Sequence, residues 1–246
     1  ITRSGSLASP IYIQATDPNN KPVIDGQMVR PVGWSNSGGV TGSSFLVAIA
    51  ASHIVWDSID LINSRDQGMQ VGPADNNGYF LMNIATWYAN VKVYRTRIEK
   101  VDNNGLRCLN TDGVTFGGVT VRETCRGNDT LWNSTTSNPS GWSAAVVLMG
   151  KNVTLVESVV AQALGEGIHA GQHISYGTGA FIQVETLVIR NCRVFDTWST
   201  QLYVASVDGG IIERNVLYST GDTRFWRGRS GSPQYPPGIV TFGSEG

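Results

Sequence analysis

Hydrophobic and polar residues alternate along this chain in one short frame that occurs six times. Each copy runs apolar, any, apolar, any, any, small or polar, any, apolar. Apolar positions two residues apart are typical of a β-strand that buries one face. The copies occupy residues 54–61, 91–98, 119–126, 153–160, 187–194 and 210–217. Among the apolar positions, only Arg126 breaks the last one, in the third copy, and only Gly210 breaks the first one, in the sixth copy.

The spacing between copies varies while the frame stays constant. The sixth positions are separated by 37, 28, 34, 34 and 23 residues, and they are Ile59, Thr96, Thr124, Ser158, Cys192 and Asn215. Such variation is typical of a solenoid, because insertions fall in the bends and leave the stacked strands in register. The small polar side chains of this position are predicted to lie at a bend and to hydrogen-bond the backbone or the next coil.

Each repeat also contains further short strands. Nine residues after the sixth position, Gly68, Gly105 and Gly167 each open an apolar segment in three of the copies, and the residues from Gln201 take that place in a fourth. Other strand-like segments are 45–50, 80–85, 144–149 and 180–184. About three strands per coil are therefore predicted, with equivalent side chains stacked in columns about 4.8 Å apart. The two predicted core columns are Ile54, Val91, Val119, Val153 and Leu187, and Trp56, Val93, Val121, Leu155, Ile189 and Ile212.

The pattern resembles the right-handed parallel β-helix of pectin-lyase-like secreted proteins. Residues 4–15 (SGSLASPIYIQA) and 21–26 (KPVIDG) are similar to a first-coil signature of bacterial members, and residues 165–169 (GEGIH) and 209–215 (GGIIERN) resemble their internal coils. The resemblance implies an all-β solenoid that forms a single domain over residues 1–246. Because members of the group usually cap the first coil, a longer natural protein with an N-terminal cap and further C-terminal coils is expected. For function the resemblance is broad, since the group includes polysaccharide lyases, glycoside hydrolases, epimerases, adhesins, phage tailspikes and structural fibres.

Composition excludes several other classes. The 246 residues include 29 glycines, carry a net charge of −1 and are 15% charged, against roughly 25% in ordinary globular chains. Helical bundles and coiled coils need charged faces that this chain lacks. A net charge of −1 provides no electrostatic attraction for nucleic acid or for an anionic membrane surface. No apolar stretch is long enough to span a membrane.

Cysteines and sequons bear on the compartment. Cys108, Cys125 and Cys192 lack the spacing of a zinc site and cannot all pair, so neither a disulfide framework nor a metal site is predicted. Cys108 and Cys192 are expected to point inward and Cys125 to be accessible. Glycosylation sequons begin at Asn128, Asn133 and Asn152, although a chain this rich in Asn, Ser and Thr can contain them by chance. An extracellular or cell-surface location is expected from the resemblance.

The outward positions of the glycine-led strands form the candidate functional line. This line contains Gln70, Arg107, His169 and Tyr203, with Asp66, Asp102, Glu166 and His173 flanking it at the bend. Arg107, His169 and Tyr203 would present a cation, an imidazole and a phenol, which are groups that a uronate polymer needs for its carboxylate and for the proton beside it. Any outward strand position needs a polar or aromatic residue, so the same line is also expected without a function.

Acidic residues limit the possible chemistry. A calcium-dependent lyase would need a cluster of carboxylates, and no coil has more than one acid at this bend, so no cofactor is predicted and calcium is unsupported. A hydrolase would need two facing carboxylates, for which Asp66 and Asp102, one residue apart in frame on adjacent coils, are the best pair. His169 and His173 are separated by a bend and are not expected to bind metal.

Two long insertions, residues 126–143 and 222–237, carry most of the exposed aromatic residues. Trp132 and Trp142 lie in the first insertion, and the second contains Trp226, Arg227, Arg229 and Tyr235. These side chains could stack on sugar rings and bind acidic groups, form a protein contact, or fold back over the flank of the solenoid. All three alternatives remain open from the sequence.

Two functions are therefore hypothesised. The first is a secreted or cell-surface β-helix module that binds, and possibly cleaves in the manner of a lyase or hydrolase, an extracellular polysaccharide. The second is a structural or adhesive subunit of an extracellular fibre, sheath or appendage, which would self-associate through open solenoid ends.

Overall fold

The structure is a computed structural model that describes residues 1–28, 45–72, 87–128, 139, 143–171, 173–174, 181–182, 184–227 and 234–242. Its described strands, in chain order, are β1 Ile11–Gln14, β2 Val23–Asp25, β3 Phe45–Ile49, β4 Ile54–Asp57, β5 Asp60–Ser64, β6 Gln67–Val71, β7 Tyr88–Tyr94, β8 Arg97–Val101, β9 Leu106–Gly117, β10 Thr120–Thr124, β11 Ala144–Val156, β12 Val159–Ala163, β13 Glu166–Gly171, β14 His173–Ile174, β15 Phe181–Ile182, β16 Val184–Arg190, β17 Arg193–Thr197, β18 Leu202–Ala205, β19 Val207–Glu213, β20 Val216–Tyr218 and β21 Ile239–Phe242. Short 3-10 turns at Arg126–Asn128 and Thr223–Phe225 are the helical elements of the described chain.

The strands form a parallel β-helix solenoid, as the sequence pattern predicts. Each turn, here called a rung, contributes one strand to each of three faces, and equivalent strands of neighbouring rungs pair in parallel. Face A contains β1, β4, β7, the second half of β9, the second half of β11, β16 and β19. Face B contains β2, β5, β8, β10, β12, β17 and β20. Face C contains β3, β6, the first halves of β9 and β11, β13, β18 and β21.

Seven rungs are present in the described chain, and two strands join their faces without a break. β9 and β11 run from face C of one rung into face A of the next, so these two faces form one bent twelve-stranded sheet. Face B is a separate seven-stranded sheet. The antiparallel pair β14 and β15 stands apart from both sheets. The predicted strand at 180–184 therefore belongs partly to this pair, whereas the one predicted at 80–85 lies outside the described residues.

Apolar columns fill the interior between the faces. On face B the inward column is Ile24, Leu61, Ile98, Val121, Val160, Val194 and Leu217. Its central members are fully buried, and each buried Val, Leu or Ile contributes about 1.5–3 kcal/mol of hydrophobic stabilisation. The same column is more exposed at the first and last rungs, where Ile24 is 37% exposed and Leu217 only partly buried.

One of the six predicted repeat copies is displaced by five residues. On face A, Val91 and Val153 both pair with Val114, not with Val119. Phe116 likewise takes the place in the second core column that the sequence assigned to Val121, which belongs to face B. The third copy of the frame is therefore 114–121, and Val119 replaces Thr124 at its sixth position. The other predicted members of the two columns lie in register.

The sixth position of the frame lies at the bend between faces A and B, where its polar side chains bond as expected. Thr96 Oγ1 accepts a hydrogen bond from the indole Nε1 of Trp56 at 3.1 Å. Ser158 Oγ donates to the Val156 carbonyl at 2.7 Å. Asn215 accepts from the backbone N–H of Cys192 at 2.9 Å and donates to the Ile189 carbonyl at 2.8 Å. The bonds of Ser158 and Asn215 satisfy backbone groups at the bend, whereas that of Thr96 satisfies the buried indole N–H of Trp56.

Left-handed backbone conformations recur at the same three places of rungs 2 to 6, and at the first two of these places on rung 7. The first line, which enters face A, is His53, Asn90, Gly113, Asn152, Thr186 and Gly209. The second line, between faces A and B, is Ser58, Arg95, Gly118, Glu157, Asn191 and Arg214. The third line, within face B, is Asn63, Lys100, Glu123, Gln162 and Asp196. The three lines are five residues apart within a rung, whereas the distance from the third line to the first line of the next rung varies.

Charged residues on the outer side of face B alternate in sign from rung to rung. Asp60 bonds Arg97 at 3.3 Å, Arg97 contacts Glu99 at 3.5 Å, and Arg122 of the next rung bonds Glu99 at 3.1 Å. Lys21 lies 3.8 Å from Asp60. Opposite charges on neighbouring rungs thus avoid the like-charge repulsion that identical stacked residues would create.

Candidate functional site

Polar side chains of five successive rungs line the bend between faces B and C and the adjoining outer side of face C. This corner strip consists of Arg65 and Asp66 of rung 2, Asp102 and Asn103 of rung 3, Asn128 and Ser143 of rung 4, Glu166 and His169 of rung 5, and Tyr203 of rung 6. Backbone hydrogen bonds hold the strip in register. The N–H of Asn103 donates to the Asp66 carbonyl at 2.8 Å, and that of Glu166 donates to the Ser143 carbonyl at 2.9 Å.

A cleft of about 230 Å³ opens at the first three of these rungs. It is lined by Arg65, Asp66, Asp102, Asn103, Gly127, Asn128 and Ser143. The predicted carboxylate pair, Asp66 and Asp102, therefore lies in one cleft on adjacent rungs. This juxtaposition follows from the repeat frame, because the two acids end equivalent strands of face B and lie one residue apart in register.

Hydrogen bonds organise the lining of this cleft. Asn103 Nδ2 donates to Asp66 Oδ1 at 3.1 Å, and Ser143 Oγ donates to Asn103 Oδ1 at 2.8 Å. Asn128 is buried and its Nδ2 donates to the Leu164 carbonyl at 2.8 Å. Arg65 Nη1 lies 3.5 Å from Asp102 Oδ2. The polar groups of the cleft are thus fixed before any ligand binds, which lowers the entropy lost on binding.

Glu166 and His169 form a hydrogen-bonded pair on rung 5. Glu166 Oε2 lies 2.8 Å from His169 Nδ1, and the side chains are 11% and 24% exposed. With a proton on Nδ1, the carboxylate fixes the ring and leaves Nε2 able to accept a proton or a hydroxyl hydrogen bond. The Tyr203 ring of the next rung packs beside His169 with the ring centroids 5.0 Å apart. The predicted His169 and Tyr203 neighbours are therefore brought together, with Glu166 as a third member.

Gln70 and Arg107 lie in register with His169 and Tyr203, as predicted, but they are not at the surface. Gln70 pairs with Arg107, and Val147 then separates Arg107 from His169. Both Gln70 and Arg107 are 2% exposed. Arg107 Nη1 donates to Gln67 Oε1 at 2.7 Å, and its guanidinium lies 5.9 Å from the Phe45 ring centroid. The predicted contact of Arg107 with a polymer carboxylate therefore does not occur in this conformation.

This part of face C also carries buried apolar residues that do not belong to the interior core. Leu109, Ala144, Val147 and Met149 form a second apolar cluster, separate from the interior core. The sequence pattern predicts a solvent-exposed outer side for all of the glycine-led strands. That prediction is wrong for rungs 2 to 4, where both sides of the strands are buried, and it holds for His169 and Tyr203, which are partly exposed.

The second insertion folds part of itself back onto the solenoid. Phe225 is fully buried in the interior core, which matches the third alternative left open by the sequence. Asp222 caps the turn at Thr223–Phe225 by accepting from the Arg224 backbone N–H at 3.1 Å. The hydrogen bonds from Arg224 also lower the pKa of the Asp222 carboxyl. The turn is thereby anchored beside the last described rungs.

The half-buried Trp226 and the exposed Tyr235 of this insertion contact each other. The Trp226 and Tyr235 rings are 4.6 Å apart, and Tyr235 is 63% exposed. The Arg227 guanidinium lies 6.0 Å from the Trp198 ring centroid, and the Arg227 backbone pairs with Gln234. Among the other predicted binding residues, Trp132, Trp142 and Arg229 lie outside the described residues. His173 is described only through its backbone pairing with Ile182.

The three cysteines are free, buried thiols. Cys108 and Cys192 point inward as predicted. Cys125 was expected to be accessible, and this expectation is wrong because the displaced third repeat copy placed it on the wrong side of the bend. Burial raises the pKa of all three thiols, that of Cys108 to about 12. None of them is therefore a candidate nucleophile.

Two findings on the described chain concern metal ions and membrane-spanning helices. Within those residues no group of three or more His, Cys, Asp or Glu side chains could hold a metal ion. No helix of the described part is long and apolar enough to cross a bilayer.

Sequence reasoning missed four members of the corner strip, Arg65, Asn103, Asn128 and Ser143. A signal for Asn103 was present, because it follows the acid Asp102 in the frame that Asp66 also obeys. The sequence had no signal for Ser143, because the insertion after Thr124 obscures the residue at which the next strand of the rung begins. The third repeat copy, predicted five residues too late, also gave the wrong position for the preceding strand.

Comparison with known proteins found no matching family model, no curated relative and no similar solved structure.

Proposed function

We propose that this protein binds a polysaccharide along the corner strip. The observation that supports this proposal is the continuity of polar side chains over five rungs, from the Asp66 and Asp102 cleft to His169 and Tyr203. Five rungs span about 19 Å at the spacing of paired strands. A polymer of repeating hydroxylated units suits a row of repeating polar groups, whereas a small ligand would occupy one rung or two.

The side chains of the strip match the two kinds of contact that sugars make. Carboxylates and amides accept and donate hydrogen bonds to hydroxyl groups, and the aromatic faces of Tyr203 and His169 can pack against the apolar face of a sugar ring. The location we propose is extracellular or cell-surface. It rests on the resemblance of the repeat to pectin-lyase-like secreted proteins.

Binding is tested by affinity electrophoresis and calorimetry of the whole chain against a panel of neutral and acidic polysaccharides. Tyr203→Ala and Asn103→Ala each remove one strip contact, and we expect at least a tenfold loss of affinity for the bound polymer. Thr154→Ala, on the outer side of face A, is the matched control and should bind as the native chain does. Unchanged affinity in both strip variants would contradict the proposal, provided that circular dichroism shows native folding.

Two chemistries of cleavage are compatible with the strip, and an activity assay separates them. Elimination would use His169 as base with Tyr203 beside it, and it would release unsaturated ends detected by ultraviolet absorbance. Hydrolysis would use Asp66 and Asp102 and release reducing ends without that absorbance. Incubation of the panel with and without calcium, followed by both assays, decides between elimination, hydrolysis and binding alone.

A second candidate function, a self-associating fibre subunit, is favoured by the exposed apolar side chains of the end rungs. Ile24 on rung 1 and Ile212 and Ile239 on rung 7 belong to inward columns and are between 37% and 54% exposed. Stacking of copies end to end would cover them. Sedimentation velocity over a range of concentrations tests this, and a purely monomeric chain at all concentrations would exclude it.

A further inference from the structure

We infer, on the premise that the corner strip binds a polysaccharide, that Glu166 is a positioning residue for a diol-binding subsite formed by His169 and Tyr203. In this subsite Glu166 holds a proton on His169 Nδ1, while His169 Nε2 and the Tyr203 hydroxyl bind two adjacent hydroxyl groups of one sugar unit. The ligand class is therefore a polysaccharide whose units keep a free vicinal diol. The subsite lies on rungs 5 and 6, away from the cleft of rungs 2 to 4.

His169 and Tyr203 are the polar pair in an otherwise apolar stretch of face C. On its outer side, His169 pairs with Val147 of rung 4 and with Tyr203 of rung 6, and Tyr203 pairs in turn with Val240 of rung 7. Val147 is buried and Val240 is half-buried. A ligand that crossed this column from rung 4 to rung 7 would therefore find its polar contacts at the two middle rungs.

The carboxylate of Glu166 fixes the proton of the His169 ring. The Glu166 side chain is 11% exposed, and within the described chain its carboxylate has one hydrogen bond, the 2.8 Å contact with His169 Nδ1. Burial of a carboxylate is costly unless a donor compensates it. Because an ionised carboxylate accepts hydrogen bonds and donates none, this contact requires the proton on Nδ1. In the neutral ring Nε2 is then the unprotonated nitrogen.

The other polar atoms of the pair are open to a ligand. Within the described chain, neither His169 Nε2 nor the Tyr203 hydroxyl has a hydrogen-bond partner, and neither atom is buried. Their rings lie side by side, with centroids 5.0 Å apart and planes inclined by 36°. A neutral Nε2 only accepts, whereas a phenol both donates and accepts. One sugar hydroxyl can therefore donate to Nε2 while its neighbour on the same ring bonds the phenol.

The backbone holds this subsite in place before a ligand binds. The Glu166 N–H donates to the Ser143 carbonyl at 2.9 Å, and the Ile168 N–H donates to the Gln201 carbonyl at 2.9 Å. Ile168, next to His169 in the strand, is fully buried in the core. Strand β13 is thus bonded on both sides and anchored inward, so little conformational entropy is lost when a ligand binds.

Nuclear magnetic resonance tests the positioning role without a ligand. The chain contains three histidines, so the imidazole nitrogen spectra of the whole chain can be assigned with a His169→Gln variant. At a pH above the His169 titration midpoint, which the same spectra give, we expect the proton on Nδ1 in the native chain and in Glu166→Gln, whose amide oxygen still accepts. Glu166→Leu has no acceptor and should lose this preference. A native ring with its proton on Nε2 would overturn the inference.

Polysaccharides with and without vicinal diols test the subsite itself. The probes are glucomannan, xylan, pectic galactan and polygalacturonate, whose units keep adjacent free hydroxyls, and laminarin, whose internal units do not. We expect at least one of the first four to bind roughly tenfold more tightly than laminarin. Periodate oxidation followed by borohydride reduction opens vicinal diols without adding charge, and it should lower the affinity of that polymer by a similar factor.

Variants assign the preference to the subsite. Tyr203→Phe keeps the ring and removes the hydroxyl, and Glu166→Leu removes the acceptor for Nδ1. Each should reduce the ratio of affinities for untreated and periodate-treated polymer by roughly threefold or more, whereas Glu166→Gln should retain most of the native ratio. Tyr218→Phe is the matched control, because Tyr218 is 37% exposed and stacks on Phe195 on the outer side of face B. It should leave the ratio unchanged.

The possible outcomes separate this inference from its premise. Equal affinity for laminarin, an affinity that periodate does not change, or a native ratio in both Tyr203→Phe and Glu166→Leu would overturn the inference while upholding polysaccharide binding. If Glu166→Leu fails to fold, Tyr203→Phe carries the test. Binding of none of the polymers would overturn the proposed function, and the inference would fall with it.

Discussion

The bends of this solenoid depend on single residues that adopt a left-handed backbone conformation. At the bend between faces A and B, this residue is Ser58, Arg95, Gly118, Glu157, Asn191 or Arg214, depending on the rung. For residues other than glycine, and to a lesser extent asparagine, the conformation costs about 1–2 kcal/mol. The surrounding sheets therefore impose the geometry, and the side chains at these positions do not select it.

Glycine should consequently be favoured at an exposed member of this line. Glu157 has a φ of 53° and is exposed, so we expect Glu157→Gly to raise the free energy of unfolding by about 1 kcal/mol. Thr154→Gly, three residues earlier on the regular strand β11, should lower it by about 0.5–1 kcal/mol. Urea unfolding followed by circular dichroism measures both changes. Equal destabilisation by the two substitutions would show that the left-handed conformation stores no strain.

These residues also mark a limit of prediction from sequence. Serine, arginine, glutamate and asparagine share no property that announces a left-handed bend, so the sixth position of the frame was detectable and the fifth was not. Gly118 was the best local signal, but it lies outside residues 119–126, where the sequence placed the third copy of the frame.

At the scale of the strands, close packing between rungs leaves no room for a side chain at some glycines. Gly167, which precedes the inward Ile168, lies against the backbone of Gln201 on the next rung. A Cβ there would approach Val194 Cγ1 to 2.7 Å. Gly238 occupies the same place two rungs later, where the nearest atom to an added Cβ is 3.8 Å away.

The two glycines therefore provide a matched pair of substitutions. We expect Gly167→Ala to lower the free energy of unfolding by about 1–3 kcal/mol, because backbone and core atoms must move. Gly238→Ala should change it by less than about 0.5 kcal/mol. Thermal unfolding by calorimetry measures both effects. A native midpoint in Gly167→Ala would mean that rungs 5 and 6 can separate at little cost.

Strand identity was largely predictable, whereas the functional use of the strands was only partly so. Alternation located the strands of all three faces and the register of His169 with Tyr203. It could not show that rungs 2 to 4 of face C are buried on both sides, because Gln70 and Arg107 are polar. The contacts of Arg107 with Gln67 and Phe45 have no signal in the repeat frame. The cleft was only partly predictable. Asp66 and Asp102 follow the repeat frame, whereas Ser143 lies at the end of a long insertion that has no such frame.

At the scale of the whole molecule, each rung is stabilised mainly by its two neighbours. The inward residue of face B is fully buried at Leu61, Ile98, Val121 and Val160 and 37% exposed at Ile24 on rung 1. In such a nearest-neighbour arrangement, the described end rungs open more readily than the middle.

Hydrogen exchange should therefore vary along the solenoid axis. We expect the slowest amide exchange in β8, β10 and β12 and the fastest among the face B strands in β2 and β20. Mass spectrometry of exchanged peptides measures the profile. Uniform protection from rung 1 to rung 7 would indicate instead that the chain unfolds as one cooperative unit or that its ends are covered by association, which the concentration dependence of the exchange would reveal.

The five-residue spacing of the left-handed positions has a consequence for how the chain reaches this structure. Residues 114–121 and 119–126 both fit the same apolar frame, and each has a left-handed residue, Gly118 or Glu123, at its fifth position. A nascent rung that slips by one such unit keeps most apolar groups inside and retains its bends. Rung 4 therefore has an alternative register that is nearly equivalent in its own residues. The free-energy difference that disfavours this register comes from pairing with the rungs on either side. Correct folding of rung 4 therefore depends more on pairing with its neighbouring rungs than on the strand propensity of its own residues.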